Sequence, residues 1–472
     1  MLFRSDLRTP SLELAPLSSG RSLEPVRDVD TRFVFRYAGG VSTLDVDHLK
    51  AGWYAQDVDI HHLSLRRAEQ PGGGNDALAA EYLDVGAIAG IAMGSGLAQG
   101  PWGDALRDLA PYGGLANAHL DLQRREGQPP QFRFRGRLED FSVSPWRSAP
   151  GVRNARGYVE LGREGGFVDL DTQAITLEFP KLYTEDLDFD ALRGRVRWTL
   201  GDEGLGVVSE LLEMQQDQTR FSARFGLHLN RDPAVEDEFT LAVGVRNADA
   251  SLHEQLVPYG VSKELRAWLG RAVRAGHVDA GGFAYRSAFG RPDGSHSSAV
   301  ELALDVSDAT VDYHPDWPPA SGVRARVEVD GSHTRVEADA GDVLGARLRD
   351  VLVEVDMGAD AHRLRVGARV EADLGQALSL VNGSPLAAIT RGALRDWRGS
   401  GPVSADLDLD LPLGAAIRRE NARIGVHALV SAGTLQLGGL GLDLEQLAGP
   451  LDYSFDGGLQ SAGLSEIGRA HV

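Results

Sequence analysis

Residues 219–229 read T-R-F-S-A-R-F-G-L-H-L, and apolar and polar side chains alternate along them. One side collects Phe221, Ala223, Phe225, Leu227 and Leu229, and the other collects arginine, serine and histidine. Because successive side chains of a strand point to opposite faces, this period of two predicts a half-buried β-strand. The same alternation in H-R-L-R-V-G-A-R-V-E-A (362–372) and P-V-S-A-D-L-D-L-D-L-P-L (402–413) predicts more strands of this kind.

Alternating stretches follow one another about every ten residues along the whole chain, a spacing typical of antiparallel meanders. The sequence therefore predicts a mainly β protein: a long twisted antiparallel sheet with one apolar and one acidic face, curled into an open, trough-like groove. Roughly two dozen strands at about 4.8 Å spacing would extend on the order of 100 Å. Helical periodicity predicts short helices at 77–92, 102–110 and 251–276, and another near 374–382.

Two strand arrays and a helical insert organise the chain. The first array is predicted over 6–250 and includes the helices near 77–110; the insert spans 251–279, and the second array spans 280–465. Residues 1–5 and 466–472 read like translations of the two strands of a common sequencing adapter. We therefore expect both ends to be tags and the chain to be a piece of a longer protein.

Composition excludes several classes of function. The formal net charge is −20 and no Lys/Arg cluster stands out, which argues against a nucleic-acid partner. There is no cysteine, and the nucleotide-binding, hydrolase and zinc-protease signatures are missing. The aspartates of D-L-D-L-D-L suggest calcium, but a solvated strand face explains them more simply. We expect no catalytic residue, no metal, no cofactor and no enzymatic activity.

An apolar face that is continuous over many strands can solvate acyl chains, so we assign the apolar phase of the strands as the lining of a lipid groove. The assigned lining residues are Phe132, Phe134, Val168, Leu170, Leu177, Phe179, Val196, Trp198, Phe221, Phe225, Leu227, Leu229, Leu241, Val243, Leu302, Leu304, Val327, Val351, Val353, Leu364, Val366, Leu407 and Leu409. In the insert, Ser262 is the expected N-cap of a helix that ends at Gly276. We expect this helix to bury Leu265, Trp268, Leu269 and Val273 beside the groove, as a cover or gate.

Several segments, in order, resemble the central region of the YhdP family, within the AsmA-like group that includes TamB. They are L-E-D-F-S-V-S-P-W-R-S-A-P-G-V-R-N-A-R-G-Y-V-E-L (138–161), F-P-K-L-Y-T-E-D-L-D-F-D-A-L-R-G-R-V-R-W (179–198), L-R-A-W-L-G-R-A-V-R-A-G (265–276), V-S-D-A-T-V-D-Y-H-P-D-W-P (306–318), and S-P-L with D-L-P-L downstream. The similarity covers most of residues 130–455. We expect the family's N-terminal membrane anchor and its C-terminal portion to lie outside this piece of the protein.

The resemblance implies a periplasmic protein of Gram-negative bacteria that is anchored in the inner membrane through the absent segment. It would carry phospholipid toward the outer membrane along a β-groove, with phospholipid acyl chains as its ligands and room for outer-membrane or periplasmic partners. Two alternatives remain. One is a solenoid-like structural or surface protein with a closed core and no transport role, and the other is a polysaccharide-active enzyme on a β-solenoid.

Overall fold

The structure is a computed structural model that describes residues 1–15, 22–147, 149–291, 293–358, 362–390, 392–413, 418, 420–438 and 441–470. It divides into two compact units. Unit 1 comprises residues 1–217, 221–240 and 288–297, and unit 2 comprises 218–220, 241–287 and 298–472. The last two residues of the C-terminal tag predicted from the sequence, 471–472, lie outside the described residues.

Unit 1 is an antiparallel meander with one helical connection. Its elements are β1 (Leu2–Leu12), β2 (Val26–Ala38), β3 (Val41–Trp53), β4 (Gln56–Gln70), β5 (Gly73–Asp84), α1 (Val85–Gly94), α2 (Gly100–Leu109), β6 (Tyr112–Arg125), β7 (Gln128–Val143), β8 (Gly151–Gly162), β9 (Gly165–Glu178), β10 (Leu187–Leu200), β11 (Gly204–Ser209), β12 (Leu212–Gln216) and most of β13 (Thr219–Asn230). Each strand from β1 to β10 pairs antiparallel with the next, and β11 bridges β10 and β13.

Unit 2 repeats this plan with two helical connections. Its elements are most of β14 (Asp237–Asp249), a 3₁₀ turn (Ala250–Leu252), α3 (His253–Leu256), α4 (Lys263–Ala272), most of β15 (Val273–Phe289), most of β16 (Ser297–Val311), β17 (Ala320–Asp330), β18 (His333–Val343), β19 (Ala346–Asp356), β20 (Arg363–Asp373), α5 (Leu374–Asn382), α6 (Leu386–Ile389), β21 (Trp397–Ser400), β22 (Pro402–Pro412), β23 (Arg423–Leu437), β24 (Leu442–Ser454), β25 (Gly458–Gln460) and β26 (Ser465–Ala470). The mainly β, antiparallel fold class predicted from the sequence is confirmed.

The two edges of the unit 1 meander differ. One edge, here called the turn edge, carries the short turns at 39–40, 71–72, 126–127 and 163–164. The opposite edge, the helix edge, carries α1, α2 and the longer loops at 144–150 and 179–186. In unit 2, α5, α6 and the 312–319 loop likewise lie opposite the 331–332 turn.

Bulges lie toward the helix edge of the strands. In unit 1, left-handed residues at Asp28, Asn117, Asp140 and Asn154 each coincide with a shift in strand register. Asparagine and aspartate tolerate this conformation better than most residues, and a bulge bends its strand and increases the local twist. Unit 2 has the same feature at Asp308, Asp350, Ala432 and Gln446.

The buried core follows these bulges. Residues next to or near a bulge are among the most buried side chains of their strands. Examples in unit 1 are Val29 (4% exposed), Ala118 (0%), Leu138 (8%) and Ala155 (3%). In unit 2, Val430 and Leu447, each 1% exposed, lie beside the bulges at Ala432 and Gln446. In unit 1 the core is therefore a narrow strip along the bulges, and most of each strand lies outside it, whereas unit 2 has a further buried cluster away from the bulges at Leu409, Leu411 and Ile424.

A buried threonine completes one of these bulges. The Thr172 hydroxyl, 2% exposed, donates to the carbonyl of Asn154 on the neighbouring strand at 2.8 Å. The Asn154 amide in turn donates to the carbonyls of Gln173 and Ala174. These bonds satisfy backbone groups that the bulge removes from the ladder.

Replacing Thr172 with valine keeps the shape and removes the donor. We expect Thr172→Val to lower the free energy of unfolding by about 1–3 kcal/mol, because the Asn154 carbonyl loses its buried partner. The measurement is the shift in the urea midpoint at unchanged m-value. Thr176→Val, on the same strand but hydrogen-bonded to Asp188 at an exposed position, is the control and should change stability by less than about 0.5 kcal/mol. Equal effects would contradict the role given to Thr172.

The helix predicted at 77–92 is wrong over its first half, because residues 77–84 continue β5 and α1 begins only at Val85. The Ala-rich sequence favours a helix locally, but β4 and β6 flank β5 and pair with its backbone, and this tertiary pairing outweighs local propensity. Asp84 then caps the helix by accepting the Ala87 N–H at 2.8 Å. The helices predicted at 102–110 and 374–382 are confirmed as α2 and α5.

The helical insert predicted over 251–276 is confirmed as the 3₁₀ turn, α3 and α4, but its last helix ends earlier than expected. Ser262 caps α4 as predicted, accepting the Leu265 N–H at 3.2 Å, but α4 ends at Ala272. Val273 and Gly276 belong to β15, so Val273 is not part of the helical stripe and Gly276 is not a C-cap. The strand begins here because β-branched Val273 opens a long alternating segment.

Candidate functional site

An apolar row crosses unit 1 perpendicular to its strands. Directly opposed residues of an antiparallel pair project on the same face, so the strand registers define the row. We call it the unit 1 ladder, and it consists of Phe35, Leu44, Leu65, Leu78, Leu120, Phe134, Leu161, Gly166, Trp198, Val207 and Leu227. It crosses eleven strands, which corresponds to about 50 Å at 4.8 Å per strand.

The unit 1 ladder is partly open to solvent. None of its eleven residues is buried, and Leu65 is 36% exposed. Gly166 has no side chain, but the Trp198 ring covers it: a Cβ added at Gly166 would lie 2.7 Å from Trp198 Cζ2. The apolar surface thus continues across the glycine.

Unit 2 carries a corresponding row across seven strands. This unit 2 ladder consists of Leu304, Val327, Val336, Val353, Val366, Leu409 and Ile424. The first five residues are half-buried, whereas Leu409 and Ile424 are each 4% exposed and belong to a small core cluster with Leu411 and Ala422. The unit 2 ladder is therefore open at one end and packed at the other.

The opposite face of each sheet is charged and paired. Arg193 and Asp171, directly opposed, form an ion pair of 2.9 Å, and Arg195 pairs with Asp169 while stacking over the Phe167 ring. Exposed pairs of this kind add little stability. They do fix which face of the sheet is solvated, and so leave the other face as the apolar one.

The acidic run D-L-D-L-D-L lies on this charged face. Asp406 pairs with Arg369 at 3.3 Å, and Asp410 pairs with Arg363 at 2.7 Å. In the described part of the chain, no cluster of histidine and acidic residues is arranged to hold a metal ion. Arginine partners for two of the three aspartates favour a solvated strand face, the simpler explanation given above.

Most residues assigned to the groove lining lie opposite apolar neighbours in the strand registers. This holds for Phe132, Phe134, Val168, Val196, Trp198, Leu227, Leu229, Leu302, Leu304, Val327, Val351, Val353, Leu364, Val366, Leu407 and Leu409, while Leu170 faces the glycines 157 and 194. Phe225 precedes Leu227 by two residues in β13, and Leu241 and Val243 are half-buried in β14. Their contact with lipid remains a prediction.

Three other assigned residues are placed differently. Leu177 faces Val152 and Leu187 but lies beyond the left-handed residue Ala174, and Phe179 follows the end of β9. Phe221 is only 6% exposed, with its ring edge-on to Phe189 at 5.8 Å between centroids. Phe221 is thus part of the core strip rather than of the open face.

The assigned gate residues are arranged differently from the expectation. Leu265 is 47% exposed and Trp268 is 37% exposed, so the expected burial of these two side chains is wrong. The Trp268 indole N–H donates to the Tyr313 carbonyl at 3.1 Å. The fully buried residue of α4 is instead Ala272, in its last turn. Leu269, three residues earlier, is half-buried, and Val273 belongs to β15.

Sequence reasoning missed the β2–β6 part of the unit 1 ladder, from Phe35 to Leu120. The alternation that would have identified it is present in R-F-V-F-R-Y and S-T-L-D-V-D-H-L. Assigning residues 77–92 to a helix removed β5 from the sheet, and with it the link between β4 and β6.

The YhdP family model matches residues 36–466 of the chain, which is most of its length. The chain belongs to the YhdP family. No curated protein sequence matches it. Among the described residues of this YhdP family member, no helix is both long and apolar enough to cross a membrane.

Proposed function

We propose that this YhdP family member carries phospholipids between the inner and outer membranes, with acyl chains lying on the apolar face. The observation that supports the proposal is the unit 1 ladder, an unbroken apolar row over eleven strands of which no residue is buried. As part of the proposal we place the full-length protein in the periplasm, anchored to the inner membrane, as the family resemblance implies. No catalytic step is required of this chain.

Energetics favour such a role for the ladder. Removing a CH₂ group from water is worth about 0.8 kcal/mol, so an acyl chain of about fifteen carbons gains roughly 10 kcal/mol on full burial. An open face gives part of that value. Neighbouring positions along the row are similarly apolar. An acyl chain that moves from one strand to the next therefore replaces its contacts with similar ones, and its binding energy changes little.

All strand pairs among the described residues with a defined register are antiparallel. This disfavours a parallel β-helix, one form of the solenoid alternative. A closed structural protein would also bury its apolar row, whereas the unit 1 ladder is half-exposed.

A photo-crosslinking experiment tests the proposal. Benzoylphenylalanine placed at Leu120, on the unit 1 ladder, should yield lipid adducts when the protein is irradiated with bound lipid and analysed by mass spectrometry. The matched control is Asp121, the next residue on β6, which lies on the opposite face across from Ala77 and Arg133. Adducts at Leu120 with few at Asp121 are expected. Absence of adducts at both positions in a folded protein would refute lipid carriage on this face.

A further inference from the structure

One charged cluster interrupts the apolar face of unit 1. Arg67 lies two residues beyond Leu65 on β4, and it directly opposes Asp76 on β5. Asp76 in turn opposes Leu122, and Arg124 follows Leu122 by two residues on β6. Both pairings, of β4 with β5 and of β5 with β6, run without a register shift here, so Arg67, Asp76 and Arg124 share the face of the ladder, at its turn edge. We call them the Arg–Asp–Arg triad.

The triad is held together by hydrogen bonds. Asp76 accepts from Arg67 Nε at 3.0 Å and from Arg124 Nε at 2.9 Å. Burial raises the pKa of the Asp76 carboxyl, but the bonds and charges of both arginines outweigh burial, and the pKa is lowered overall. The carboxylate is ionised at neutral pH, and the triad carries a net charge of +1. Glu69 lies on the same face at the turn, and its charge also acts on Arg67.

A glycine gives Arg124 its position. Gly74 directly opposes Arg124, and a Cβ added at Gly74 would lie 3.0 Å from Arg124 Nη2. The Arg124 guanidinium therefore lies close to the Gly74 backbone, in space that a side chain at position 74 would occupy. Arg67 binds Asp76 through Nε, and within the described part of the chain its terminal amino groups have no other partner.

We infer that the Arg–Asp–Arg triad binds the anionic phosphodiester of a phospholipid whose acyl chains lie on the adjacent apolar face. Guanidinium groups bind phosphate oxygens through paired donors, and a net charge of +1 complements a monoanionic phosphodiester. Leu65, Leu78 and Leu120 begin the apolar surface one residue pair inward from the charges. Headgroup and acyl chain thus each meet a surface of matching chemistry. This inference rests on the proposed function and adds a preferred headgroup position.

The test compares two lipids that differ in the phosphate. Delipidated protein is incubated with nonionic detergent micelles holding equal amounts of phosphatidylglycerol and diacylglycerol with identical acyl chains, and bound lipids are quantified by mass spectrometry. The double variant Arg67→Gln/Arg124→Gln should lower the ratio of bound phosphatidylglycerol to diacylglycerol roughly tenfold. The matched control Arg66→Gln/Arg125→Gln removes two charges from the neighbouring residues on the opposite face and should leave the ratio unchanged.

A second variant separates binding from a structural role. Asp76→Asn removes the carboxylate that competes for the arginine donors, so it should raise the ratio. If the triad only stabilised the sheet, neither variant would move the ratio, and that result would overturn the inference. Inorganic phosphate at the lipid's concentration should not displace phosphatidylglycerol; displacement would assign the site to free phosphate instead. If wild-type protein bound neither lipid, the proposed function would be wrong. If all variants bound both lipids at the wild-type ratio, only the inference about the triad would be wrong.

Discussion

A single charge on the unit 1 ladder is expected to abolish lipid loading and leave the protein folded. Leu227 directly opposes Val207 and is half-buried, so Leu227→Asp places a carboxylate at the β13 end of the apolar row. An acyl chain that crosses this position must either strip water from the ion or leave the surface, at a cost of several kcal/mol. We expect lipid loading, measured by photo-crosslinking, to fall at least about tenfold.

The neighbouring residue provides the control. His228 opposes Gly206, lies on the charged face and is exposed. His228→Asp introduces the same carboxylate one residue away and should leave lipid loading unchanged. Circular dichroism should show that both variants are folded, because a carboxylate on a solvent-accessible face stays hydrated. Normal loading in a folded Leu227→Asp protein would rule out transport along this row, and unfolding of that variant would indicate a closed core.

Much of this architecture is readable from the sequence because one physical signal dominates it. Strict alternation requires a sheet with one wet face, and the run from Phe221 to Leu229 shows that signal clearly. Antiparallel pairing follows from the short spacing between strands. The open face is less accessible to sequence reasoning, since alternation is the same whether the apolar side packs on a second layer or faces lipid.

The errors have a common origin in tertiary pairing. Residues 77–84 have helix-favouring alanines, and only the two flanking strands make them a strand. The extent of α4 was overestimated because Val273 continues the helical spacing but starts β15. In both cases local preference was modest, and hydrogen bonds to distant segments decided the outcome.

The bulges and the triad were beyond sequence reasoning for a related reason. Alternation does not distinguish the buried end of a strand from its open end, so Phe221 matched the apolar pattern of β13 and yet lies in the core strip. The Arg–Asp–Arg triad joins residues from three strands, and Arg67 and Arg124 are 57 positions apart. In the sequence, each of the three residues is only a charged side chain at an apolar position of its strand. The strand registers are needed to show that the three lie side by side.

The position of the core predicts which leucines matter most for stability. Leu192 is 2% exposed in β10 near the bulged end of the strands, whereas Leu161 is half-buried on the unit 1 ladder. We expect Leu192→Ala to cost about 3 kcal/mol, because the side chain is fully enclosed and its removal leaves a cavity. Leu161→Ala should cost about 1 kcal/mol, since solvent already reaches that side chain and no closed cavity forms.

The same substitution at both sites makes the comparison direct, and the readout is the shift in the urea midpoint at unchanged m-value. In a protein whose apolar face is packed core, the two leucines would cost similar amounts. A threefold difference would instead mean that stability is concentrated in the strip along the bulges. The ladder would then contribute little to the stability of the fold, and its continuous apolar surface would be available to bind a ligand. Equal losses at Leu192 and Leu161 would show that the ladder is a core, and would remove the physical basis for lipid binding there.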